Sequence, residues 1–302
     1  MRPVSAAPDT TTLALALDGR PLPTPCDRYG PEDAPPALLL PALSSIASRA
    51  EMAGLARALA PDYRCLVPDW PGFGDRDRAR LPLSPALMNG FLDALLAALP
   101  GPFALGIGAG HGATYLAAAA GRHPGRFARL VMVAPTWRGP LPTAMGAERA
   151  PLFRRIRRAV EAPVLGHALY RINLSTPVIA RMMRAHVYAD PARVTPALVA
   201  AKRGIARRAG GRFGTAAFVT GGLDPVESRQ AFLALFAEPI SGPLPPVSLL
   251  RPQAAPRRSG AEMDALAAHL GGAGSVPGAL SPHEEYPEAV AEAIRAEVGR
   301  AI

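Results

Sequence analysis

Cysteine is almost missing from this chain. Its two residues, Cys26 and Cys65, are too few for a disulfide framework and lack the spacing of a metal site. No metal or cofactor is therefore expected, and a reducing, cytoplasmic setting is the default. Lysine is scarcer still: Lys202 is the only one, and arginine supplies the rest of the basic side chains behind a net charge of +9. Arginine in place of lysine, beside abundant Ala, Gly and Pro, is what GC-rich coding produces, so the charge by itself does not mark a polyanion partner. No helix-turn-helix, zinc or RNA-binding signature accompanies it, and no nucleic-acid partner is expected. No apolar run approaches the roughly 20 residues that a membrane span needs. Met1 to Thr12 lacks the charged and apolar regions of a signal peptide, and no internal repeat is seen. What remains is globular: 49% hydrophobic and 19% charged over 302 residues, enough for one large α/β domain or one carrying an inserted lid.

The hydrophobic pattern alternates between two periods. Thr12 to Leu17 alternates sides and ends at Asp18-Gly19, a first strand with its turn; a Pro-rich connector is expected from there to Pro36. Ala37 to Leu40 is a continuous apolar run, as in a strand buried on both faces. Arg49 to Leu59 reads as a helix and Arg64 to Pro68 as the next strand. Ser84-Pro85 is an N-cap with a first-turn proline, followed by Leu87, Phe91, Leu95 and Leu99 at helical spacing. Phe103 to Ile107 and Leu130 to Ala134 are further strands. Between them, Gly108-Ala109-Gly110-His111-Gly112 turns sharply into an Ala-rich helix, Ala113 to Gly121. From Pro135 to about Gly214 helical pieces (Leu152 to Val160, Pro177 to His186, Pro196 to Arg208) occur without a strand between them. Sheet logic returns with a helix near Arg229 to Phe236 and a strand at Pro246 to Leu250. A capping box at Ser259-Gly260-Ala261-Glu262 opens a helix to Leu270, Ser275-Val276 is a short last strand, and Pro287 opens a final helix.

Strands alternating with helices predict an α/β fold with a mostly parallel sheet covered on both faces. In this order the elements and motifs resemble the α/β-hydrolase superfamily over nearly the whole chain. Gly108-x-Gly110-x-Gly112 resembles the nucleophile elbow G-x-S-x-G. Asp69-Trp70-Pro71-Gly72-Phe73-Gly74-Asp75 resembles the D-x-P-G-x-G turn, with Arg76 where a serine usually follows. Pro282-His283-Glu284-Glu285-Tyr286-Pro287-Glu288 resembles the tail that follows the catalytic histidine. The resemblance implies a core formed by residues 1–135 and 215–302, interrupted by a helical lid over 136–214.

It also implies where the chemistry should be. The family uses serine, acid and histidine in that chain order: the serine attacks, the imidazole takes its proton and the carboxylate orients the imidazole. The corresponding positions here are Gly110, Ala255 and Leu280. The His-Gly that shapes the oxyanion hole is Pro41-Ala42, and proline has no amide N–H to offer; Leu43, Ala109 and His111 border the same place. Four departures together predict a catalytically silent member that binds an apolar small molecule or a protein partner between sheet and lid. The alternative is an ester- or lipid-type hydrolase with a rebuilt site using His111, Asp224 or His283. In that reading Phe218 to Pro225 is a strand ending in the acid Asp224. The plainer readings are a hydrogen-bonded core imidazole for His111, a turn residue for Asp224 and an exposed or capping side chain for His283. The Gly108/Gly110/Gly112 cluster lacks the G-x-G-x-x-G spacing of a dinucleotide site. Met182-Met183 with Val178 and Ile179 reads as core. Arg154, Arg155, Arg157 and Arg158 form a basic amphipathic patch, either a solvated helix face or a contact for an anionic membrane or an acidic protein.

Overall fold

The computed structural model describes residues 7–237 and 243–299. The polar N-terminal stretch read from the sequence therefore lies partly outside the described residues. The first hairpin joins β1 (Asp9–Leu17) to β2 (Arg20–Tyr29), with Leu17 opposite Arg20 and positive φ at both Asp18 and Gly19. Asp-Gly supplies the two left-handed residues that such a two-residue hairpin requires. β2 replaces the connector expected there. Its Pro21, Pro23 and Pro25 fall at alternate positions, and β4 (Arg64–Pro68) pairs with β2 only from Cys26 onward. The prolines thus lie ahead of the β2–β4 ladder, where the Pro25 carbonyl accepts the Asp69 N–H at 3.0 Å but no proline N–H is called for, and the missing N–H groups cost little.

The remaining strands, β3 (Pro36–Leu40), β5 (Leu105–Ala109), β6 (Leu130–Val133), β7 (Val247–Pro252) and β8 (Gly274–Val276), complete an eight-stranded sheet in the order β1-β2-β4-β3-β5-β6-β7-β8. Every pairing beyond β2–β4 is parallel. Alternation along β3 shows how two faces are filled. Leu38 and Leu40 point into one layer with Phe91, Tyr115 and Met132, while Ala37 and Leu39 point into the other with Leu55, Ile107 and Ile294. The helices are α1 (Ala53–Leu59, preceded by a 3₁₀ turn at Arg49–Met52), α2 (Pro85–Ala98) and α3 (His111–Arg122). After β6 come α4 (Pro140–Met145), α5 (Ala150–Glu161), α6 (Pro163–Asn173), α7 (Thr176–Met182), α8 (Pro196–Ala206), α9 (Gly211–Val219) and α10 (Arg229–Ala237). The last are α11 (Arg257–Leu270), α12 (Pro282–Glu285) and α13 (Pro287–Gly299).

All helices from α4 to α10 fall between β6 and β7, as one long insertion. It has its own core, with Ile179, Met183, Tyr188 and Val199 packed against Ile46 of the loop after β3. Phe218 and Val219 end α9 and are not part of a strand; the Gly-Gly that follows closes the helix, and Asp224 stands in the turn beyond. α11 starts two residues before the expected capping box, with Pro256 at its N-cap and no side-chain cap.

A buried guanidinium locks the strand ends together. Arg49 reaches Asp27 on β2 at 2.8 Å, Asp69 after β4 at 2.5 Å and Asp75 at 2.7 Å, while its own N–H donates to Asp69 at 2.7 Å. The Asp69-to-Asp75 turn is thus held from inside by the helix that precedes α1.

Candidate functional site

Between β5 and α3 the chain turns at Gly110, whose φ and ψ are 53° and −127°. A side chain there is strained, which is the backbone condition of a nucleophile elbow. The flanking glycines have a different reason. A Cβ on Gly108 would stand 2.5 Å from Ala113 Cα, and one on Gly112 2.6 Å from the Pro41 carbonyl oxygen, so strand, helix and β3 loop approach too closely for any larger residue. A Cβ on Gly110 would point at Ala42 Cβ (3.2 Å) and Thr136 Oγ1 (3.6 Å). The elbow is therefore formed, and the side chain that would act from it is absent.

Ala255 lies in the turn between β7 and α11, and Leu280 follows β8 just before α12. Both stand past the C-terminal ends of their strands, on the same sheet edge as Gly110, and neither carries a titratable group. Pro41 offers only its carbonyl, which accepts from Trp70 Nε1 at 2.7 Å. The Ala42 N–H donates to Glu51 Oε1 at 2.6 Å. The loop that would bind a developing oxyanion has its amide held by a carboxylate.

His111, the first residue of α3, is 2% exposed. Its Nδ1 lies 2.8 Å from Thr136 Oγ1 and its Nε2 3.5 Å from Asp224 Oδ1. Asp224 Oδ1 also accepts the Gly139 N–H at 2.8 Å, and Phe218 stands edge-on to the imidazole at 5.1 Å. The structure thus joins two of the sequence candidates, His111 and Asp224, and adds Thr136, which sequence reasoning missed. Its signal was position alone: it comes three residues after β6, the strand beside β5, where a side chain reaches the same sheet edge. Its N–H donates to the Gly110 carbonyl at 3.1 Å, so hydroxyl, imidazole and carboxylate are referenced to the elbow backbone.

His283 does not join them. It is fully buried rather than exposed, because α12 tucks beneath the insertion. Its Nε2 lies 3.4 Å from the same Glu51 oxygen that holds Ala42, and its Nδ1 has no hydrogen-bond partner among the described residues. Beside it, Lys202 from α8 meets Glu284 from α12 at 2.6 Å. Burial works against that ammonium, but the charges of Glu284 and Glu51 outweigh it and its pKa lies above the ordinary lysine value. Burial and the Glu284 carboxylate likewise push the Tyr188 hydroxyl well above its usual range. The chain's only lysine is therefore an internal cation that ties insertion to core.

Of the other sequence candidates, Met183 and Ile179 are core, while Val178 is exposed. Arg157 turns inward to Glu161 at 2.8 Å and the Leu83 carbonyl at 3.1 Å; Arg154, Arg155 and Arg158 face solvent. Next to Thr136 a cavity of about 410 Å³ opens between the β6–α4 loop, α4, α10 and α11. Arg138, Arg229 and Arg258 line it, and Glu262 answers two of them, at 2.8 Å for Arg229 and 3.9 Å for Arg138. Among the described residues no group of three His, Cys, Asp or Glu side chains is placed to hold a metal ion.

Solved structures share this fold along its length. A thermophilic esterase from Thermogutta terrifontis with malate bound is 19% identical, with a TM-score of 0.71 over 97% of this chain and 98% of that one. A hydrolase from Pseudomonas aeruginosa PA01 is 20% identical, with a TM-score of 0.67 over 96% and 98%. Cfl2 from Burkholderia cenocepacia is 20% identical, with a TM-score of 0.70 over 96% and 95%. No match is found among curated protein sequences. The family model described as Alpha/beta hydrolase family matches residues 37–293, most of the chain, and with the elbow, the sheet order and the insertion point in agreement, the protein belongs to the alpha/beta hydrolase family.

Proposed function

We propose that this protein has given up serine-hydrolase chemistry and keeps the fold to bind a small molecule or a protein partner between the sheet and its helical lid. One observation carries the reading: the nucleophile position is Gly110, and the amide of the neighbouring Ala42 already donates to Glu51. An enzyme of this type needs donors free at the point where negative charge develops. The esterase and hydrolase among its structural relatives share only 19–20% identity with it, which speaks for a common fold and no further. The sequence suggests an apolar ligand, but the cavity beside Thr136 has three guanidinium groups against one carboxylate. A small organic acid suits it better. The test is hydrolysis of short- and medium-chain p-nitrophenyl esters by the purified protein. Turnover above buffer that survives removal of contaminating esterases sinks the silent reading.

The relay of Thr136, His111 and Asp224 favours a second reading, a hydrolase rebuilt one strand away from the elbow. Thr136 Oγ would attack an ester carbonyl and pass its proton to His111 Nδ1, with Nε2–H held by Asp224; the proton then goes to the departing alkoxide, and a water deprotonated by His111 cleaves the acyl-threonine ester, the proton returning to Thr136 Oγ. This reading requires that turnover disappear in Thr136→Val, His111→Ala and Asp224→Asn alike. Activity untouched by all three removes it.

A further inference from the structure

The exposed large apolar side chains among the described residues are Leu152, Val164, Leu165, Ile172 and Val178, and all five lie on α5, α6 and α7. Scattered singly they would mean nothing, but a concentration of this kind marks a contact surface. α6 carries its centre. Val164 is 85% exposed, Leu165 59% and Ile172 67%. Val164, the exposed Ala168 and Ile172 recur every four residues and so share one face, while Gly166 and Tyr170 occupy the buried face.

The charge is concentrated on the same unit. Residues 150–222 contain 13 basic and two acidic side chains, +11, against +9 for the whole chain, so the remainder is slightly negative. Beside α6 a cavity of about 370 Å³ opens toward α8 and α9, lined by His167, Arg171, Arg207, Arg208 and Arg212, with no carboxylate among its described lining residues. Arg212 reaches the Ala162 and Pro163 carbonyls at 3.0 Å each, which leaves Arg171, Arg207 and Arg208 facing the cavity. α5, with exposed Arg154, Arg155 and Arg158, packs against α6.

An apolar helix face flanked by guanidinium groups is what an anionic bilayer surface recognises: the apolar residues enter the headgroup boundary, and the cations meet phosphate. We propose that the α5–α6 face docks on anionic membranes, with α6 lying in the interface and a phospholipid headgroup seated among Arg171, Arg207 and Arg208. This goes beyond the reading of the elbow and is measured separately from it.

The experiment is co-sedimentation of the full chain with vesicles of phosphatidylcholine alone and of phosphatidylcholine mixed with phosphatidylglycerol. Binding is expected only with the anionic lipid and should weaken in high salt. Leu165→Asp with Ile172→Asp should lower partitioning by at least about tenfold. Arg171→Gln, Arg207→Gln and Arg208→Gln together should lower it by roughly a hundredfold. All these side chains are exposed, so both variants should melt where the parent does, which separates lost docking from lost folding. Absence of sedimentation with the anionic vesicles overturns the proposal. So does binding that the apolar substitutions leave unchanged, since that behaviour belongs to an acidic protein or another soluble polyanion.

Discussion

Gly110→Ser restores the atom that the elbow lacks and should not restore the chemistry. At φ 53° and ψ −127° a side chain costs roughly 1–3 kcal/mol in backbone strain. The new Cβ stands 3.2 Å from Ala42 Cβ, closer than an ordinary carbon contact, so Ala42 must give way as well. At roughly 2–4 °C per kcal/mol for a large domain, the melting temperature should fall by about 2–12 °C. The new hydroxyl would face Thr136, whose own hydroxyl already takes His111 Nδ1 at 2.8 Å. Residue 280 is leucine, so no base arrives from the β8 loop, and the Ala42 N–H remains on Glu51. A serine without its base forfeits on the order of 10⁴ to 10⁶ in rate, which leaves nothing above buffer. The assay pairs differential scanning calorimetry with p-nitrophenyl acetate hydrolysis and fluorophosphonate labelling of residue 110. A variant that is both labelled and active refutes the reasoning, because His111 would then be free to act as base and the Ala42 amide free to leave Glu51.

Arg49→Met strips the counter-charge from Asp27 and Asp69, which are 5% and 4% exposed, and should cost about 3–5 kcal/mol in urea unfolding; Asp75→Asn, at the half-exposed end of the network, should cost far less. Lys202→Met and Glu284→Gln should each destabilise, but together they should cost less than the sum, and a double-mutant cycle in urea measures that coupling; additive effects would mean that the 2.6 Å pair contributes nothing. Burial pushes the Cys26 and Cys65 thiols up to about 12, so the native protein should ignore Ellman's reagent at pH 8 and titrate two thiols once unfolded. The same shifts set an alkaline limit. A group whose pKa is raised on folding stabilises fully below its unfolded value and loses that contribution as pH rises through the folded one. Unfolding free energy should therefore decline from about pH 9 toward 12, with burial of Tyr29, also near 12, adding to the fall; a flat profile over that window contradicts it.

The parts of the fold that could be read from the sequence are those where one period dominates. β3, β4 and β6 are unbroken apolar runs because both faces are covered, and α2 shows its stripe of Phe91 and Leu95 because one face alone is covered. β2 was hidden by Pro21, Pro23 and Pro25, whose presence normally argues against a strand; the edge geometry that tolerates them is visible only once β4 is seen to stop at Cys26. α9 ends in Phe218-Val219, a pair with strand propensity, and packing against α5 and α8 decided it instead. At the site, the elbow and its missing serine were legible because glycine spacing is a local signal. Glu51 on the Ala42 amide, Thr136 on His111 and Lys202 on Glu284 were not, since each pair is a tertiary contact between residues with no shared pattern.

Those hidden contacts form one connected arrangement beside the elbow. Once the Ala42 amide holds a carboxylate in place of a substrate oxygen, that carboxylate is 4% exposed and needs positive partners, since a buried charge without one is costly. The cation comes from α8 of the insertion as Lys202, and His283 lies alongside from α12. Lys202 in turn needs Glu284, which fixes α12 against the underside of the insertion. The occupied amide and the Lys202–Glu284 tie between insertion and core are therefore one arrangement. A serine at 110, a histidine at 280 or an aspartate at 255 would each meet a site where the loop donor of the oxyanion hole, the Ala42 N–H, is already in use. Restoring the triad alone should then yield a folded, inactive protein. Activity would return only when the triad is combined with a change that frees the Ala42 N–H without leaving Lys202 unpaired.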